Sequence, residues 1–478
     1  LLGPAGPSSR VEGLIGDVVV RDVALNPQTG EEYILGTFRG TVDFDTLPRV
    51  ESLTSADPNV DEVFVLKRDG MSALKWVRRF NGAGRASGVR LATSPAGGVW
   101  VAGTFSGGID FDPGDGVVAL GSDGGSDDAY VVKLGMDGAF RWAKRIGGAG
   151  IDAAADVVAD PAGGCIVVGS FTGIADLDPE PNRTDARGSL GETDAFVVKM
   201  SAQATWARAF GGGGRDTAAA VALANGGGIF VAGGFTRTVD FDPGQGIATK
   251  TVDDSVSRDN SDVYVLKLTG GGDFRRVSVL RGPGIDTVGD IAVDEAVNVV
   301  VTGSFTRSLD VDPGARTALF STAAASDAFV VKLEAGGLVW ARQIAASAWG
   351  RAAGTGVACG TGGLVYAVGG FSGSILSDPQ AVDRKTLVSR GKDDGYLVQI
   401  RADGTTVAGG AIGIGGADGD VVNGAAVAGV SPRVWGAFQT IGEFGRRSRP
   451  LQLVSPRTPA GGGGRGGFFA SYDRAFVG

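Results

Sequence analysis

The sequence predicts an all-β fold, a seven-bladed β-propeller with four antiparallel strands in each blade. Three observations lead to this prediction. A repeat runs along nearly the whole chain, because the first Asp of a D-x-D pair recurs at spacings of 64 to 70 residues, at Asp43, Asp110, Asp176, Asp240 and Asp310. Each repeat contains four short β-type runs, and no helical periodicity lies between them.

The strands are clearest in the second repeat, where β-branched and aromatic residues alternate with small ones between Gly, Asp and Pro. We expect strands A to D of this blade over residues 88–93, 99–109, 129–134 and 140–146. Four strands in a repeat of this length fit a propeller blade better than a β-helix coil, which needs much shorter repeats.

The glycine-rich junctions between repeats give the blade boundaries. One propeller domain is predicted, with blades at residues 13–80, 81–146, 147–210, 211–280, 281–344, 345–412 and 413–478. The last repeat ends soon after its strand C, whereas the register of the first repeat places Ser8 to Glu12 at a strand D position. Residues 1–12 are therefore expected to supply the missing strand and close the ring, which removes an open sheet edge.

The composition argues against several classes of function. The 53 acidic and 44 basic residues give a net charge of −9, and no dense Lys/Arg run is present, so no nucleic acid is expected as a partner. The sequence contains no histidine, the commonest general base and transition-metal ligand. The longest uncharged stretch, residues 352–377, is broken by Gly and Thr, so no direct membrane span is expected.

Three motifs of the repeat carry a resemblance to a known family. In the second repeat they read GTFSGGIDFDP from Gly103, DAYVVKL from Asp128 and WAKRIGGAGID from Trp142. With their counterparts in the other repeats, they resemble the SBBP family of bacterial β-propeller repeats over nearly the entire chain. The resemblance implies a propeller in an extracytoplasmic or surface-associated protein, often as a module of a larger chain. It brings no established catalytic residues.

Carboxylates concentrate on one face of the predicted propeller, where the B-to-C loops and the D-to-A junctions emerge. Several like charges this close need compensation, and oxygen ligands suit Ca²⁺, so one hypothesis places a calcium site in each of five acidic sets. It assigns calcium to Asp43, Asp45, Asp110, Asp112, Asp128, Asp176, Asp178, Asp194, Asp240, Asp242, Asp262, Asp310, Asp312 and Asp327. Glu62 completes the first set, and Asp152, Asp216 and Asp286 lie in the junctions.

The alternative is that each D-x-D-P segment is an Asx-type turn without metal. In such a turn the carboxylate accepts backbone N–H groups, and the proline fixes the exit of the chain. The proline after the second Asp departs from the spacing of an EF-hand loop. The sequence leaves both interpretations open.

Recurring aromatic and basic residues are predicted to be structural. The tryptophans of strand D are interpreted as packing between blades instead of as a sugar-stacking platform: Trp76, Trp142, Trp206 and Trp340. The phenylalanines of strand B are interpreted in the same way: Phe38, Phe105, Phe171, Phe235, Phe305 and Phe371. The lysines of strand C are expected to be solvated or ion-paired: Lys67, Lys133, Lys199, Lys267 and Lys332.

These observations favour a non-enzymatic binding or structural scaffold of the cell surface or periplasm. We expect it to present the loop-rich face to a protein or a surface polymer, either alone or as a subunit of a larger complex. The chain begins without methionine, which is compatible with a removed leader. The alternative is a carbohydrate-active enzyme with paired carboxylates at the propeller funnel. The acids repeat from blade to blade, however, whereas a single active site should break the symmetry.

Overall fold

The protein is all-β, as predicted. The computed structural model describes residues 10–26, 28–45, 50–94, 98–180, 182–201, 205–253, 260–379, 384–428, 431–438, 441–444, 451–454 and 466–471. Within these ranges the chain forms antiparallel strands and one short 3-10 helix, η1 (Thr361–Gly363), and it contains no α-helix. In the described part of the chain, no helix has the length and apolar character needed to cross a membrane.

The strands fall into successive antiparallel groups, numbered here in chain order. Group 1 consists of β1 (Arg10–Leu25), β2 (Glu32–Asp43), β3 (Ser52–Thr54), β4 (Glu62–Arg68) and β5 (Leu74–Gly82). Group 2 consists of β6 (Arg85–Thr93), β7 (Gly98–Ser106), β8 (Gly108–Asp110), β9 (Ala119–Gly121), β10 (Asp128–Gly135) and β11 (Phe140–Gly148). Group 3 consists of β12 (Ala153–Ala159), β13 (Cys165–Phe171), β14 (Ile174–Asp176), β15 (Ala186–Gly188), β16 (Asp194–Met200) and β17 (Trp206–Gly212).

The later groups follow the same order of long and short strands. Group 4 consists of β18 (Thr217–Leu223), β19 (Ile229–Phe235), β20 (Thr238–Asp240), β21 (Thr249–Thr251), β22 (Asp262–Leu268) and β23 (Phe274–Leu280). Group 5 consists of β24 (Thr287–Val293), β25 (Val299–Phe305), β26 (Ser308–Asp310), β27 (Leu319–Ser321), β28 (Asp327–Glu334) and β29 (Gly337–Ala346). Group 6 consists of β30 (Arg351–Cys359), β31 (Val365–Ser372), β32 (Ser374–Leu376), β33 (Thr386–Val388), β34 (Asp394–Ile400) and β35 (Thr406–Gly415). Group 7 consists of β36 (Val421–Ala428), β37 (Ser431–Phe438), β38 (Ile441–Phe444), β39 (Leu451–Val454) and β40 (Gly466–Ser471).

The structure corrects the prediction for strand B of the second repeat. Residues 99–109 were expected to form one strand, but β7 ends at Ser106 and β8 begins at Gly108. Gly107 between them has a φ of +75°, a left-handed conformation that suits glycine. Strand β8 forms a small hairpin with β9 and also pairs with β5 of the preceding group. The predicted B-to-C loop is thus partly a hairpin that joins neighbouring groups.

This connection recurs between groups. Strand β11 pairs with β14, β17 with β20, β29 with β32, and β35 with β38. A bridge between Arg281 and Asp310 joins groups 4 and 5 in the same way. In group 1, Ile15 of β1 pairs with Asp43, at the end of β2. Backbone pairing of adjacent sheets therefore accompanies side-chain packing.

The hydrophobic clusters lie between successive groups. Groups 1 and 2 share a cluster that contains Leu35, Val65, Val101 and Tyr130. Equivalent clusters join groups 2 and 3, 3 and 4, 4 and 5, 5 and 6, and 6 and 7. A further cluster combines side chains of group 1 with Trp435 of group 7. The first and last groups of the chain thus share buried apolar surface.

The first strand of each group contacts the first strand of the next. The order of these contacts is β1, β6, β12, β18, β24, β30 and β36, and β36 contacts β1. Each of these strands contains a one-residue β-bulge at the same point. The extra residues are Arg21, Val89, Ala155, Ala219, Gly289, Thr355 and Asn423.

Strand β1, at the start of the chain, pairs with β40 near its end as well as with the neighbouring β2. Its residues Arg10–Leu14 pair with β40, and its residues Asp17–Leu25 pair with β2. The sequence placed the outer strand of the last repeat at Ser8 to Glu12. The structure has this pairing from Arg10 onward, while residues 1–9 lie outside the described residues. Leu14, at the end of this segment, is 1% exposed.

Deletion of residues 1–14 tests the contribution of this pairing. We expect the unfolding temperature to fall by about 5 °C or more, because backbone hydrogen bonds and the burial of Leu14 are lost. The freed edge of β40 should also promote self-association. Calorimetry and light scattering measure these two effects. Deletion of residues 1–9 is the comparison, because it leaves the pairing of Arg10–Leu14 with β40 in place. Equal melting of both deletion variants and the intact chain would contradict the expectation.

Candidate functional site

The D-x-D acids form hydrogen-bonded turns at the ends of the small hairpins. Asp110 Oδ1 accepts hydrogen bonds from the backbone N–H groups of Asp112, at 3.1 Å, and Val118, at 2.8 Å. Asp112 Oδ1 accepts one from Gly114 N, at 2.8 Å. The first Asp of the pair has the same role at Asp43, Asp176, Asp240 and Asp310. The geometry is that of the Asx-type turn considered in the sequence.

The predicted calcium ligands do not converge as sets of three. Within the described ranges, no three acidic or cysteine side chains come together as a candidate metal site. In the second set, Asp110 and Asp112 are joined by the turn, whereas Asp128 contacts Asp123 N at 3.0 Å and Arg145 Nη1 at 3.1 Å. The calcium hypothesis stays a prediction, and it now has to compete with these backbone and arginine donors.

Substitution of Asp110 separates the two interpretations. A turn needs only an acceptor oxygen, so we expect Asp110→Asn to stay close to the original stability. Asp110→Ala should lose about 1–2 kcal/mol, because two N–H donors lose their acceptor. Thermal melts of both variants, each in Ca²⁺ and in chelator, provide the measurement. If Ca²⁺ raises the midpoint of the parent protein and Asp110→Asn abolishes this rise, the calcium hypothesis is correct and the metal-free turn is wrong.

Buried carboxyl groups meet in pairs where one group joins the next. Asp128 opens β10, and Asp152 lies in the junction after β11. A Cβ atom at Gly147 would lie 2.8 Å from Asp128 Oδ1 and 2.8 Å from Asp152 Oδ2, so both oxygens face this glycine. Asp152 is held by Gly148 N at 2.7 Å and Thr172 N at 3.3 Å. Asp216 is held in the same way by Gly212 N and Thr236 N.

These pairs have strongly shifted acidities. Burial, which disfavours the charged form, raises the pKa of Asp152 to about 6. It raises the pKa of Asp216 to about 7 and that of Asp286 to about 8. The negative charges of Asp128, Asp194 and Asp262 add to these respective upward shifts. In the described part of the chain, no junction carboxyl group pairs with Asp327, because Ala352 occupies the equivalent position.

The pairs predict a fall in stability as the pH rises. A folded-state pKa of about 6 to 8 exceeds the ordinary Asp value, so the folded chain binds more protons than the unfolded chain between pH ~4 and ~8. The free energy of unfolding should therefore decrease from pH 5 to pH 8. Denaturant titrations at several pH values measure it. In Asp286→Asn the decrease should be smaller, with the gain relative to the parent appearing at pH 8. An identical slope in both proteins would contradict this assignment.

The recurring aromatic residues pack between groups, as predicted, and three of the five lysines are ion-paired as predicted, whereas Lys133 and Lys267 contact aromatic rings instead. Trp76 and Trp340 are 8% and 6% exposed, and their Nε1 atoms donate to Met136 O and Ala402 O in the next group. Trp142 and Trp206 are partly buried and pack against clusters shared between groups. The predicted phenylalanines are buried. Ion pairs of 2.8 Å hold Lys67, Lys199 and Lys332, while Lys133 and Lys267 lie over aromatic rings.

The bulges of the first strands surround a cavity of ≈ 570 Å³. Five of the seven bulged residues line it: Arg21, Val89, Gly289, Thr355 and Asn423. Arg90, directly after one bulge, lines it as well. Because a bulge re-aims the side chains around it, this position controls what faces the cavity. The seven bulged residues differ widely, so the cavity wall does not follow the repeat.

Two buried aspartates, Asp22 and Asp156, and the partly buried Asp290 surround Arg90 and link alternate groups to their successors. Asp22 Oδ1 accepts from Val23 N at 2.9 Å, and its Oδ2 accepts from Leu91 N in group 2 at 2.7 Å. Asp156 joins groups 3 and 4 in the same way through Val157 N and Val221 N. Asp290 joins groups 5 and 6 through Ile291 N and Val357 N. Each carboxylate thus satisfies both of its oxygens with backbone donors.

The Arg90 guanidinium makes fewer close polar contacts than these carboxylates do. Among the described residues it makes no hydrogen bond, and its nearest carboxylate contact joins Nε to Asp156 Oδ1 at 3.8 Å. Burial acts to lower the pKa of Arg90, but the negative charges of Asp22, Asp156 and Asp290 together outweigh burial. The pKa of Arg90 is therefore raised above its ordinary value, and the guanidinium stays charged. Burial also raises the pKa of Asp156 to about 7 and that of Asp290 to about 6. The charge of the Arg90 guanidinium is therefore compensated by the carboxylates around it.

The sequence analysis assigned no role to Asp22, Asp156 or Asp290, which occupy one strand A position in different repeats. A signal was present, because Asp-Val or Asp-Ile recurs at this strand A position in the first, third and fifth repeats only. Such alternation indicates contacts between neighbours instead of a turn in each repeat. Arg90 occupies the equivalent position in the second repeat. Because no other repeat has an arginine at this position, the sequence did not indicate that Arg90 lies among three carboxylates.

Comparisons with known proteins add no relative. No protein-family model matches the chain, and no curated protein shows significant sequence similarity to it. The resemblance of its repeats to the SBBP family therefore stays a prediction that depends on the motifs alone.

Proposed function

We propose that the protein is a non-enzymatic scaffold, a seven-bladed β-propeller that presents its loop-rich face to a partner. The observation that carries the proposal is the cyclic order of contacts among the first strands, in which β36 contacts β1. Pairing of β1 with β40 supplies a fourth strand for group 7 and supports closure of the ring. In this interpretation each group is one blade.

The use of the acids supports a scaffold over a glycosidase. A glycosidase needs two carboxyl groups that are free to reach the substrate. Here the repeated acids accept backbone hydrogen bonds, as Asp110 does in its turn and Asp152 does at its junction. Their carboxylate oxygens hold loops and neighbouring groups in place through these hydrogen bonds. Nothing in their arrangement singles out one blade as a reaction centre.

One junction between groups differs in length from its counterparts elsewhere in the repeat. The junction between Ala345 and Ala352 is two residues longer than its counterparts at 147–152 and 211–216, as their pairing positions show. Trp349 lies in this longer junction and is 100% exposed. Exposed tryptophan is enriched among residues that dominate binding energy at interfaces. We infer that Trp349 contributes to the partner-binding surface.

The junction around Trp349 is anchored on both sides. Gly350 O accepts a hydrogen bond from Ala325 N at 3.1 Å, and Ser347 N donates to Ser374 O at 2.8 Å. Arg351 forms an ion pair of 2.6 Å with Asp393. Such anchoring holds the backbone that carries Trp349 in place before binding, which lowers the backbone entropy lost on association.

The resemblance to SBBP repeats supports an extracytoplasmic site of action, at the cell surface or in the periplasm. The same resemblance supports a place within a larger assembly, with a protein or a surface polymer as the partner. The net charge of −9 and the absence of a dense basic run agree with a partner other than nucleic acid.

Replacement of Trp349 tests the proposal. We expect Trp349→Ala to weaken partner binding by roughly 30-fold, or about 2 kcal/mol, without changing the melting temperature. Affinity capture and cross-linking in an extract of the source cells compare the parent protein, Trp349→Ala and Met71→Ala. Met71 is 81% exposed in a C-to-D turn on the opposite face and is the matched control. Equal capture by all three proteins, or the lack of any captured partner, would count against the proposal.

A further inference from the structure

We propose that the junction between groups 4 and 5 binds a Ca²⁺ ion through Asp262, Asp286 and Asn260. This site differs from the calcium sets predicted from the D-x-D segments, because its second carboxylate comes from the junction and its third ligand is an amide. It does not depend on the partner proposed for Trp349. Four observations carry the inference: unpartnered buried oxygens, their convergence on one residue, the contrast with the other junctions and the negative charge of the site.

Three side-chain oxygens at this junction are buried without a hydrogen-bond partner. Both carboxylate oxygens of Asp286 have none among the described residues, although Asp286 is only 1% exposed. Asn260 is 2% exposed, and its Oδ1 has no partner either. Buried polar atoms in proteins nearly always bond to the protein, to water or to an ion. A carboxylate buried without donors therefore indicates that a ligand supplies its partner.

The three side chains meet at Gly282. Gly282 N donates to Asp262 Oδ1 at 3.1 Å, and Asn260 Nδ2 donates to Gly282 O at 2.9 Å. A Cβ atom at Gly282 would lie 2.9 Å from Asp286 Oδ2, so this oxygen faces the same residue. Asp262 is 1% exposed, so two buried carboxyl groups and one buried amide come together here. The set contains only two acids, which agrees with the finding that no three acidic side chains cluster in the described ranges.

Earlier junctions satisfy their acids with backbone donors. Asp152 accepts a backbone N–H with each of its two oxygens, and the equivalent acid between groups 3 and 4 does the same. Between groups 4 and 5, the equivalent donor Gly282 N bonds to Asp262 instead. Thr306 N favours the charged form of Asp286 but completes no hydrogen bond to it. Both oxygens of Asp286 are therefore free to bind a cation.

The junction between groups 5 and 6 uses the same backbone donor without a second acid. Ala346 N donates to Asp327 Oδ1 at 2.8 Å, and Gln343 Nε2 donates to Asp327 Oδ2 at 2.6 Å. Ala352 occupies the position of Asp286. Asp327 thus has a donor for each oxygen from the protein itself. The unpartnered oxygens between groups 4 and 5 therefore accompany the second acid, as expected for a cation that two acids share.

The charges at this junction favour a divalent cation. Asp262 and Asp286 carry two negative charges when ionised, and Asp253 adds a third nearby. Arg281 is the basic side chain that acts on Asp262, and it is exposed instead of buried with the acids. Oxygen ligands suit Ca²⁺, which accepts both oxygens of one carboxylate, whereas Mg²⁺ demands near-octahedral geometry. Ile285, in the same junction, is 50% exposed, so solvent lies close to the site.

Titration calorimetry of the intact chain with Ca²⁺ at constant ionic strength tests the proposal. We expect one ion to bind with a Kd of about 0.1 to 1 mM, because two carboxylates are few charged ligands for a calcium site. Mg²⁺ should bind at least about tenfold more weakly. No binding at about 10 mM Ca²⁺ would overturn the proposal and leave a proton as the charge that compensates the pair. Equal binding of Mg²⁺ would overturn the assignment to calcium.

Three matched variants locate the ion. Asp286→Asn keeps the shape of the side chain but removes a charge and one carboxylate oxygen, so Ca²⁺ binding should weaken at least about 30-fold. Asp273→Asn changes an exposed acid in the C-to-D turn of group 4 and is the control, with binding as in the parent. Melts in chelator and in Ca²⁺ provide the second measurement: Ca²⁺ should raise the midpoint of the parent and of Asp273→Asn, but not that of Asp286→Asn. Unchanged binding in Asp286→Asn would overturn the site, and loss of binding in Asp242→Asn would assign the ion to the D-x-D segment instead.

Discussion

Each sheet has two apolar faces, and this constraint governs the rest of the structure. In β4 every residue is buried, and successive side chains point to opposite sides. Val63 and Val65 enter the cluster shared with group 2, whereas Phe64 and Leu66 enter the cluster that contains Trp435 of group 7. A single sheet cannot cover both of its own faces, so each group needs a neighbour on either side. Group 1 packs on group 2 through one face, and Trp435 of group 7 packs against its other face.

Apolar packing alone would leave the position of one sheet against the next loosely defined, and the polar contacts supply that definition. A backbone N–H of the following group donates to each of Asp22, Asp156 and Asp290. Trp76 Nε1 likewise donates to Met136 O in group 2. Burying a carboxylate is costly unless donors replace its water. Two backbone donors do so at each aspartate, which explains how these carboxyl groups persist between the sheets.

The sequence predicted the all-β class, the long strands and the packing role of the aromatic residues, because alternation and repetition both report burial on a pleated surface. It missed the hairpin of β8 and β9, since three-residue strands are too short to show a period. It also missed the bulges, because one inserted residue is invisible without the partner strand. Asp128 and Asp152 were placed on one face, but their pairing depends on the neighbouring group, and the position of Arg90 depends on three distant repeats.

Two kinds of position depart from the repeat: the bulged residues of the first strands and the junction that carries Trp349. Residues that hold neighbouring groups together recur, because each interface repeats the same demands on shape and hydrogen bonding. The bulged position follows these demands less closely, and it is occupied in turn by Arg, Val, Ala, Ala, Gly, Thr and Asn. Thr355 and Asn423 each donate to a backbone carbonyl of the next group, whereas Gly289 has no side chain to contribute. The longer junction at Trp349 is free of these demands, because the Trp349 side chain is exposed to solvent. Positions freed from the interfaces can acquire chemistry specific to a ligand while the scaffold retains its stability.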